Sequence, residues 1–322
     1  MTRSLLSMVI LILSGWIKFC EARYIIVRNS IETIDPVFMK FPPFEYACPA
    51  SLADAVTRLS EDDDAMVLAG GQSLMPILAF RLAAPRLLVD LKNVPGLDAI
   101  KISAEDVRLG ARVRWCDIGK HLGLSVAQPL LAEAISHVAH YQIRNRGTVG
   151  GSIALVDPAA EMPGVAVTCD AEIALTGKSG ERVVPAAEFF LGAMETCLEP
   201  DEIITEVRLP PWPSDRRWAF KEFARRRGDF ALVGVAVFYD VDANGCAANA
   251  HIGVIGVSDR PCRLGSAEQI INGAVLDATV IEAAAEAASN EIEPMEDHHA
   301  PADYRCALVK TLLERALTRA MA

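Results

Sequence analysis

The chain has 322 residues, more than one domain usually holds and enough for two or three packed units with a sizeable core. Apolar residues make up 52% and aromatics only 6%, so that core is expected to be rich in Ala, Val, Leu and Ile with few large rings. A formal net charge of −11 works against binding to nucleic acid or an anionic membrane surface, since both need clustered positive charge, and the one basic cluster, Arg225-Arg226-Arg227, is short.

Arg3 precedes an apolar stretch from Leu5 to Ile17, the charge-then-hydrophobic order of a signal peptide, though it is short for a membrane span and lacks an Ala-x-Ala-like end. Three readings stay open: an export signal, a short anchor, or a start-site artefact upstream of Met39. No periodicity links the segment to the residues after Met39, which favours the artefact. Residues 1–38 are accordingly set apart as an N-terminal extension.

From Ser51, a capping residue, the spacing of Leu52, Ala55, Val56 and Leu59 predicts a helix. A strand at Met66 to Leu68 comes next, then the paired glycines of Ala69-Gly70-Gly71-Gln72-Ser73, a helix from Gln72 with Pro76 in its early turns, and a buried strand at Leu87 to Leu91. This is a βαβ-like unit. Alternation over Val107 to Trp115 predicts another strand, and Leu130 to Ala139 a helix, after which comes a second glycine pair in Arg146-Gly147-Thr148-Val149-Gly150-Gly151-Ser152, succeeded by Asp157-Pro158-Ala159-Ala160-Glu161.

Backbone N–H groups with no Cβ in the way can wrap closely around a pyrophosphate, and a hydroxyl beside each pair adds a donor. Two such turns suggest one dinucleotide gripped twice. Either pair alone is equally well an ordinary tight turn between strand and helix. No Gly-x-Gly-x-x-Gly comes after a strand, and the only Gly-Lys-Ser, at Gly177 to Ser179, has Glu172 where a phosphate loop needs its first glycine. The pattern is neither a Rossmann fingerprint nor a P-loop.

Ala171 to Leu175 and Val183-Val184 predict a hairpin, and Ile203 to Leu209 a further strand. Pro210-Pro211-Trp212-Pro213-Ser214 then marks the best domain boundary in the chain. Beyond it, Trp218 to Phe223, Ala231 to Tyr239 and Ala247 to Val257 predict three antiparallel strands, the last two joined across Asn244-Gly245; helices succeed them at Ala278 to Ala288 and Ala302 to Met321. The eight cysteines are scattered without Cys-x-x-Cys or a histidine spacing suited to zinc or an iron–sulfur cluster, so reduced thiols in a cytoplasmic protein are expected and no metal site in this chain. No convincing Ser/His/Asp or Cys/His arrangement stands out, and no catalytic residue is assigned.

Ala69-Gly70-Gly71-Gln72-Ser73, the Leu87-Leu88-Val89-Asp90-Leu91 strand, Thr148-Val149-Gly150-Gly151 with Asp157-Pro158 and Glu161, and the terminal Ala302-Asp303-Tyr304-Arg305 helix form an ordered set. From Met39 onward the chain resembles the FAD-binding medium subunit of molybdenum hydroxylases, the carbon monoxide dehydrogenase and xanthine dehydrogenase family. The resemblance implies an α+β chain: a two-subdomain FAD-binding fold of the vanillyl-alcohol-oxidase (PCMH) type, residues 39–213 with subdomains at about 39–92 and 93–213, then a C-terminal domain, residues 214–322, of a three-stranded antiparallel sheet with helices.

Carried over by residue, it implies that Ala69, Gly70, Gly71, Gln72, Ser73 and Leu74 wrap one side of the FAD diphosphate, and Thr148, Gly150, Gly151 and Ser152 the other. Asp157 comes after the second loop, and Glu161 stands at the acidic position that helps hold the adenosine part, where aspartate is common. Leu198 matches a residue packed near the flavin ring, and Lys221 a lysine near its pyrimidine edge, where a fixed cation stabilises the reduced anion.

The family further implies a large molybdopterin-binding partner, where substrate is oxidised, and a small [2Fe–2S] partner, in a dimer of heterotrimers. Electrons would pass through FAD to NAD+, O2 or a quinone. A stand-alone FAD-dependent oxidoreductase and a flavin-less scaffold are the alternative readings.

Overall fold

The computed structural model describes residues 41–322, so the readings of residues 1–38 lie outside it. The first part is a three-stranded parallel sheet of β1 (Glu45–Ala47), β2 (Ala65–Leu68) and β3 (Leu87–Asp90), in the order β1-β3-β2. Helix α1 (Leu52–Ser60) connects β1 to β2; Ser51 caps it by accepting from the Asp54 N–H at 3.1 Å. Ala55, Val56 and Leu59 are its buried face, as their spacing dictates. Helix α2 (Leu74–Ala79) leads from β2 toward β3, with Pro76 in its first turn, where a missing N–H costs nothing.

The second part is a five-stranded antiparallel sheet, β4 (Ile100–Ile102), β5 (Val107–Gly110), β6 (Glu172–Gly177), β7 (Gly180–Pro185) and β10 (Ile203–Leu209), in the order β4-β5-β10-β6-β7. A small ribbon of β8 (Phe190–Gly192) and β9 (Glu195–Thr196) lies beside it. Six helices cover this part: α3 (Trp115–Lys120), α4 (Leu122–Ala127), α5 (Pro129–His137), α6 (Tyr141–Arg144), α7 (Val149–Leu155) and α8 (Glu161–Thr168), with the single turn α9 (Ala186–Phe189) after β7. The strand read from Val107 to Trp115 ends instead at Gly110. There the chain turns against its own earlier loop: the Arg112 N–H donates to the Leu97 carbonyl at 2.6 Å and the Val113 N–H to Gly110 at 2.9 Å, so Trp115 opens a helix.

After the proline-rich stretch comes a four-stranded antiparallel sheet, β11 (Arg217–Phe223), β12 (Val233–Val241), β13 (Ala247–Ile255) and β14 (Cys262–Arg263), backed by α10 (Gly265–Ile271), α11 (Ala278–Glu291) and α12 (Ala302–Met321). The short fourth strand corrects the three-stranded reading; two residues are too few for an alternation signal. Both faces of this sheet are buried, which is why β12 reads as a nearly unbroken apolar run. Val233, Val235, Val237 and Tyr239 pack on the helices, whereas Ala236 and Phe238 join the core of the five-stranded part.

Helix α8 is the joint between the parts, and all eight of its residues are buried. A Cβ on Gly253 of β13 would overlap the Thr168 hydroxyl, and one on Gly164 would overlap the Ile255 side chain. Backbones therefore meet here with no room for a side chain between them. His251 of β13 adds a 2.9 Å contact from Nδ1 to the Thr168 carbonyl.

Candidate functional site: a glycine-walled cavity between the sheets

The first glycine pair forms the turn between β2 and α2. Gly71 has φ +70°, the left-handed region that a side chain disfavours. Gly70 is needed for another reason: a Cβ there would overlap the Arg146 carbonyl oxygen, so the two glycine loops touch each other at this point. The Gln72 Nε2 donates to the Gly70 carbonyl at 3.0 Å and braces the turn. The amides of Gly70, Gly71, Gln72 and Ser73 find no protein acceptor among the described residues. Four adjacent donors, on residues that are half-buried or exposed, thus stay available to a ligand.

The second pair is built differently from its sequence reading. Gly150 and Gly151 lie in the first turn of α7, capped by Thr148. Their amides are already used: Val149 donates to the Val113 carbonyl (2.9 Å), Gly150 to Ala111 (2.8 Å), Gly151 to the Thr148 Oγ1 (3.2 Å) and Ser152 to the Thr148 carbonyl (3.1 Å). Glycine is required because a Cβ on Gly150 would come within 2.6 Å of the Ala111 Cβ, and one on Gly147 within 2.7 Å of the Trp115 Nε1. The expected run of free N–H groups is therefore absent on this side. What it offers are hydroxyls: Thr148 accepts one bond and keeps its hydrogen to donate, and Ser152 lies beside it.

Between the loops lies a cavity of about 370 Å³. Every site residue singled out in the sequence lines it except Lys221: Ala69, Gly70, Gly71, Gln72, Ser73, Leu74, Thr148, Gly150, Gly151, Ser152, Asp157, Glu161 and Leu198. Residues eighty positions apart meet because the end of β2 and the start of α7 open on the same cavity. Lys221 is half-buried on β11. Strand alternation groups it with Ala219, which packs in the helix-backed core, and Phe223, whose ring meets Tyr304 of α12; Phe220 and Glu222 point the other way, toward the first two parts. Lys221 is not among the residues that line the cavity.

The acidic groups are strongly perturbed. Glu161 opens α8 at 7% exposure; burial, with the nearby Glu222 second, pushes its carboxyl up to about 8. Burial raises Glu222 to about 7, and its Oε2 is enclosed without a partner. Asp157 is raised by burial as well, although its Oδ1 accepts from the Ala159 N–H at 2.9 Å. Sequence reasoning missed Glu222, whose only signal is a carboxyl at an inward position of Trp218-Phe220-Glu222. It also missed Gly228, Asp229 and Phe230, which close one side of the cavity from the loop after β11.

The residues fit a dinucleotide: unclaimed amides, flanking hydroxyls, and a cradle whose glycines leave no volume for side chains. Among the described residues no His/Cys/Asp/Glu group is arranged to hold a metal ion, and the seven described cysteines are free. No helix among them is long and apolar enough to cross a membrane.

Comparison with known proteins agrees with this geometry. Residues 42–212 match the FAD binding domain in molybdopterin dehydrogenase, and residues 218–320 the CO dehydrogenase flavoprotein C-terminal domain. The nicotine 6-hydroxylase medium subunit of Paenarthrobacter nicotinovorans is 40% identical over 88% of this chain and 99% of its own length. The carbon monoxide dehydrogenase medium chain of Hydrogenophaga pseudoflava is 36% identical over 87% and 98%. Among solved structures, carbon monoxide dehydrogenase from Hydrogenophaga pseudoflava superposes with a TM-score of 0.85 at 36% identity, covering 88% of this chain and 99% of that one. Quinoline 2-oxidoreductase from Pseudomonas putida 86 gives 0.84 at 39%, with the same coverage. The chain belongs to the family of FAD-binding medium subunits of molybdenum hydroxylases, with a PCMH-type FAD-binding domain followed by the flavoprotein C-terminal domain.

Proposed function

We propose that this chain holds one FAD in the cavity and serves as the electron-transfer subunit of a molybdenum hydroxylase complex. The carrying observation is the set of unclaimed amides of Gly70, Gly71, Gln72 and Ser73 facing the Thr148 and Ser152 hydroxyls across the cavity. Those donors bind the diphosphate and fix its position. Asp157 and Glu161 stand where ribose hydroxyls would be recognised, and Leu198 gives an apolar contact for the ring. The bound flavin supplies acceptance of electrons one at a time and their release in pairs.

The role needs partners: a small subunit carrying [2Fe–2S] clusters as donor and a large molybdopterin subunit where the organic substrate reacts, in a dimer of heterotrimers. The acceptor is NAD+, O2 or a quinone, and the complex works in the cytoplasm. Dividing the chain at 213/214 uses the proline-rich stretch between the second and third sheets. Native co-purification with absorbance and metal analysis tests the reading. Flavin, [2Fe–2S] and molybdenum in one complex is the expected result; a chain that purifies colourless and takes up no FAD overturns it. Turnover of an organic substrate by the chain alone would favour a stand-alone oxidoreductase.

A further inference from the structure

Leu198 reaches the cavity from residues 197–202, a segment between β9 and β10 that belongs to neither strand nor helix. Its backbone groups have no ladder to join and need other partners. An ion pair supplies two of them. Arg182 of β7 donates from Nε to the Glu202 Oε1 at 2.6 Å and from Nη2 to the Glu202 Oε2 at 2.7 Å. The same Nη2 donates to the Cys197 carbonyl at 2.8 Å, and the Glu202 Oε2 accepts from the Glu199 N–H at 2.9 Å. Cys197 and Glu199 flank Leu198, so the pair grips the backbone immediately before and immediately after it.

The β6–β7 hairpin is shaped for this grip. Its turn carries Gly177-Lys178-Ser179, the Gly-Lys-Ser that is no phosphate loop, and lies against the same segment. The Lys178 N–H donates to the Asp201 Oδ2 at 2.8 Å, and a Cβ on Gly177 would come within 2.9 Å of the Glu202 Cγ. The Glu202 side chain is only 9% exposed, and the Arg182 guanidinium beside it holds its carboxyl below the usual value. Without Arg182 an enclosed carboxylate would lose its countercharge. The Leu198 N–H has only a 3.4 Å contact with the Thr196 Oγ1.

We propose that Arg182 and Glu202 are positioning residues for the flavin: the pair clamps the segment that carries Leu198 and so fixes how that side chain packs on the ring. Arg182 does this without lining the cavity. The inference rests on the FAD reading of the cavity and gives the Gly177-Lys178-Ser179 hairpin a role in it. Two carboxylate oxygens and a carbonyl together need the planar guanidinium fork; a lysine ammonium keeps the charge but cannot span all three acceptors.

Hydrogen exchange on the flavin-free full chain reads the clamp without the cofactor. Arg182→Met should speed exchange of the Glu199 amide about tenfold or more while the β10 amides stay protected, and Arg182→Lys should speed it by at least about threefold. Visible circular dichroism of the flavin-loaded protein reads the ring. Arg182→Met should shift the flavin bands in the same sense as Leu198→Ala and raise the Kd for FAD roughly three- to tenfold. Because Arg182 acts through Leu198, adding Arg182→Met to Leu198→Ala should change bands and Kd no further. If Arg182→Met does not fold, Arg182→Lys takes its place in the same cycle. Unchanged Glu199 exchange sinks the inference, as do unchanged flavin bands or effects that add in the double variant, and each leaves the cofactor reading standing. A chain that takes up no FAD overturns both.

Discussion

Gly70 cannot carry a side chain because its Cβ would overlap the Arg146 carbonyl of the opposite loop. Gly70→Ala should therefore push the two loops apart and cut FAD occupancy, measured as flavin absorbance per protein, by about tenfold or more. Gly71→Ala meets a different obstacle, a left-handed φ of +70°, and should cost about 1–2 kcal/mol in chemical denaturation, with a smaller loss of flavin. Thr148 combines two roles, helix cap and hydroxyl donor. Thr148→Ala should lose ~1 kcal/mol of stability and flavin retention as well, whereas Thr148→Ser should restore most of both. The sequence marked all three as loop residues, but only contacts with Arg146, Ala111 and Val113 separate steric need from ligand need.

Elements were most legible where periodicity was long. Strand β10 runs from Ile203 to Leu209 and α12 from Ala302 to Met321, as their patterns state. The turn at Asn244-Gly245 joins β12 to β13, with Gly245 at φ +83°. Legibility failed where a tertiary contact overrode the local pattern. Gly110 ends β5 because its backbone lies against the Leu97 carbonyl, although alternation continues to Trp115. The second glycine pair became the first turn of α7 because Val113 and Ala111 accept the amides of Val149 and Gly150.

Helix α12 is tied to the sheet by Arg305, 4% exposed, which donates to Leu232 at 2.6 Å and to Gly256, and pairs with Asp297. Arg305→Ala should strand those two carbonyls and cost about 3 kcal/mol in denaturant unfolding.

Among the described residues, the buried helix α8 packs against the C-terminal sheet and opens with Glu161 at the cavity. Glu161 and Glu222 lie above their ordinary values, so the folded flavin-free chain holds protons there that the unfolded chain has already released. Their penalty is absent below the usual Glu range, grows as pH rises, and is complete above about 8. Glu222→Gln should accordingly stabilise the flavin-free chain at pH 8.5 by about 1–3 kcal/mol and leave it nearly unchanged at pH 4.5; equal effects at both values would count against burial as the cause. Residue identity and order along the chain were enough to establish the two glycine loops, the acidic residues after the second, the proline-rich break and the family. Folding in three dimensions was needed to settle which amides remain free, which residues line the cavity and that the Glu222 Oε2 is enclosed without a partner. Those outcomes depend on which backbone groups and strand faces meet across the fold, and a one-dimensional pattern carries no distance between them.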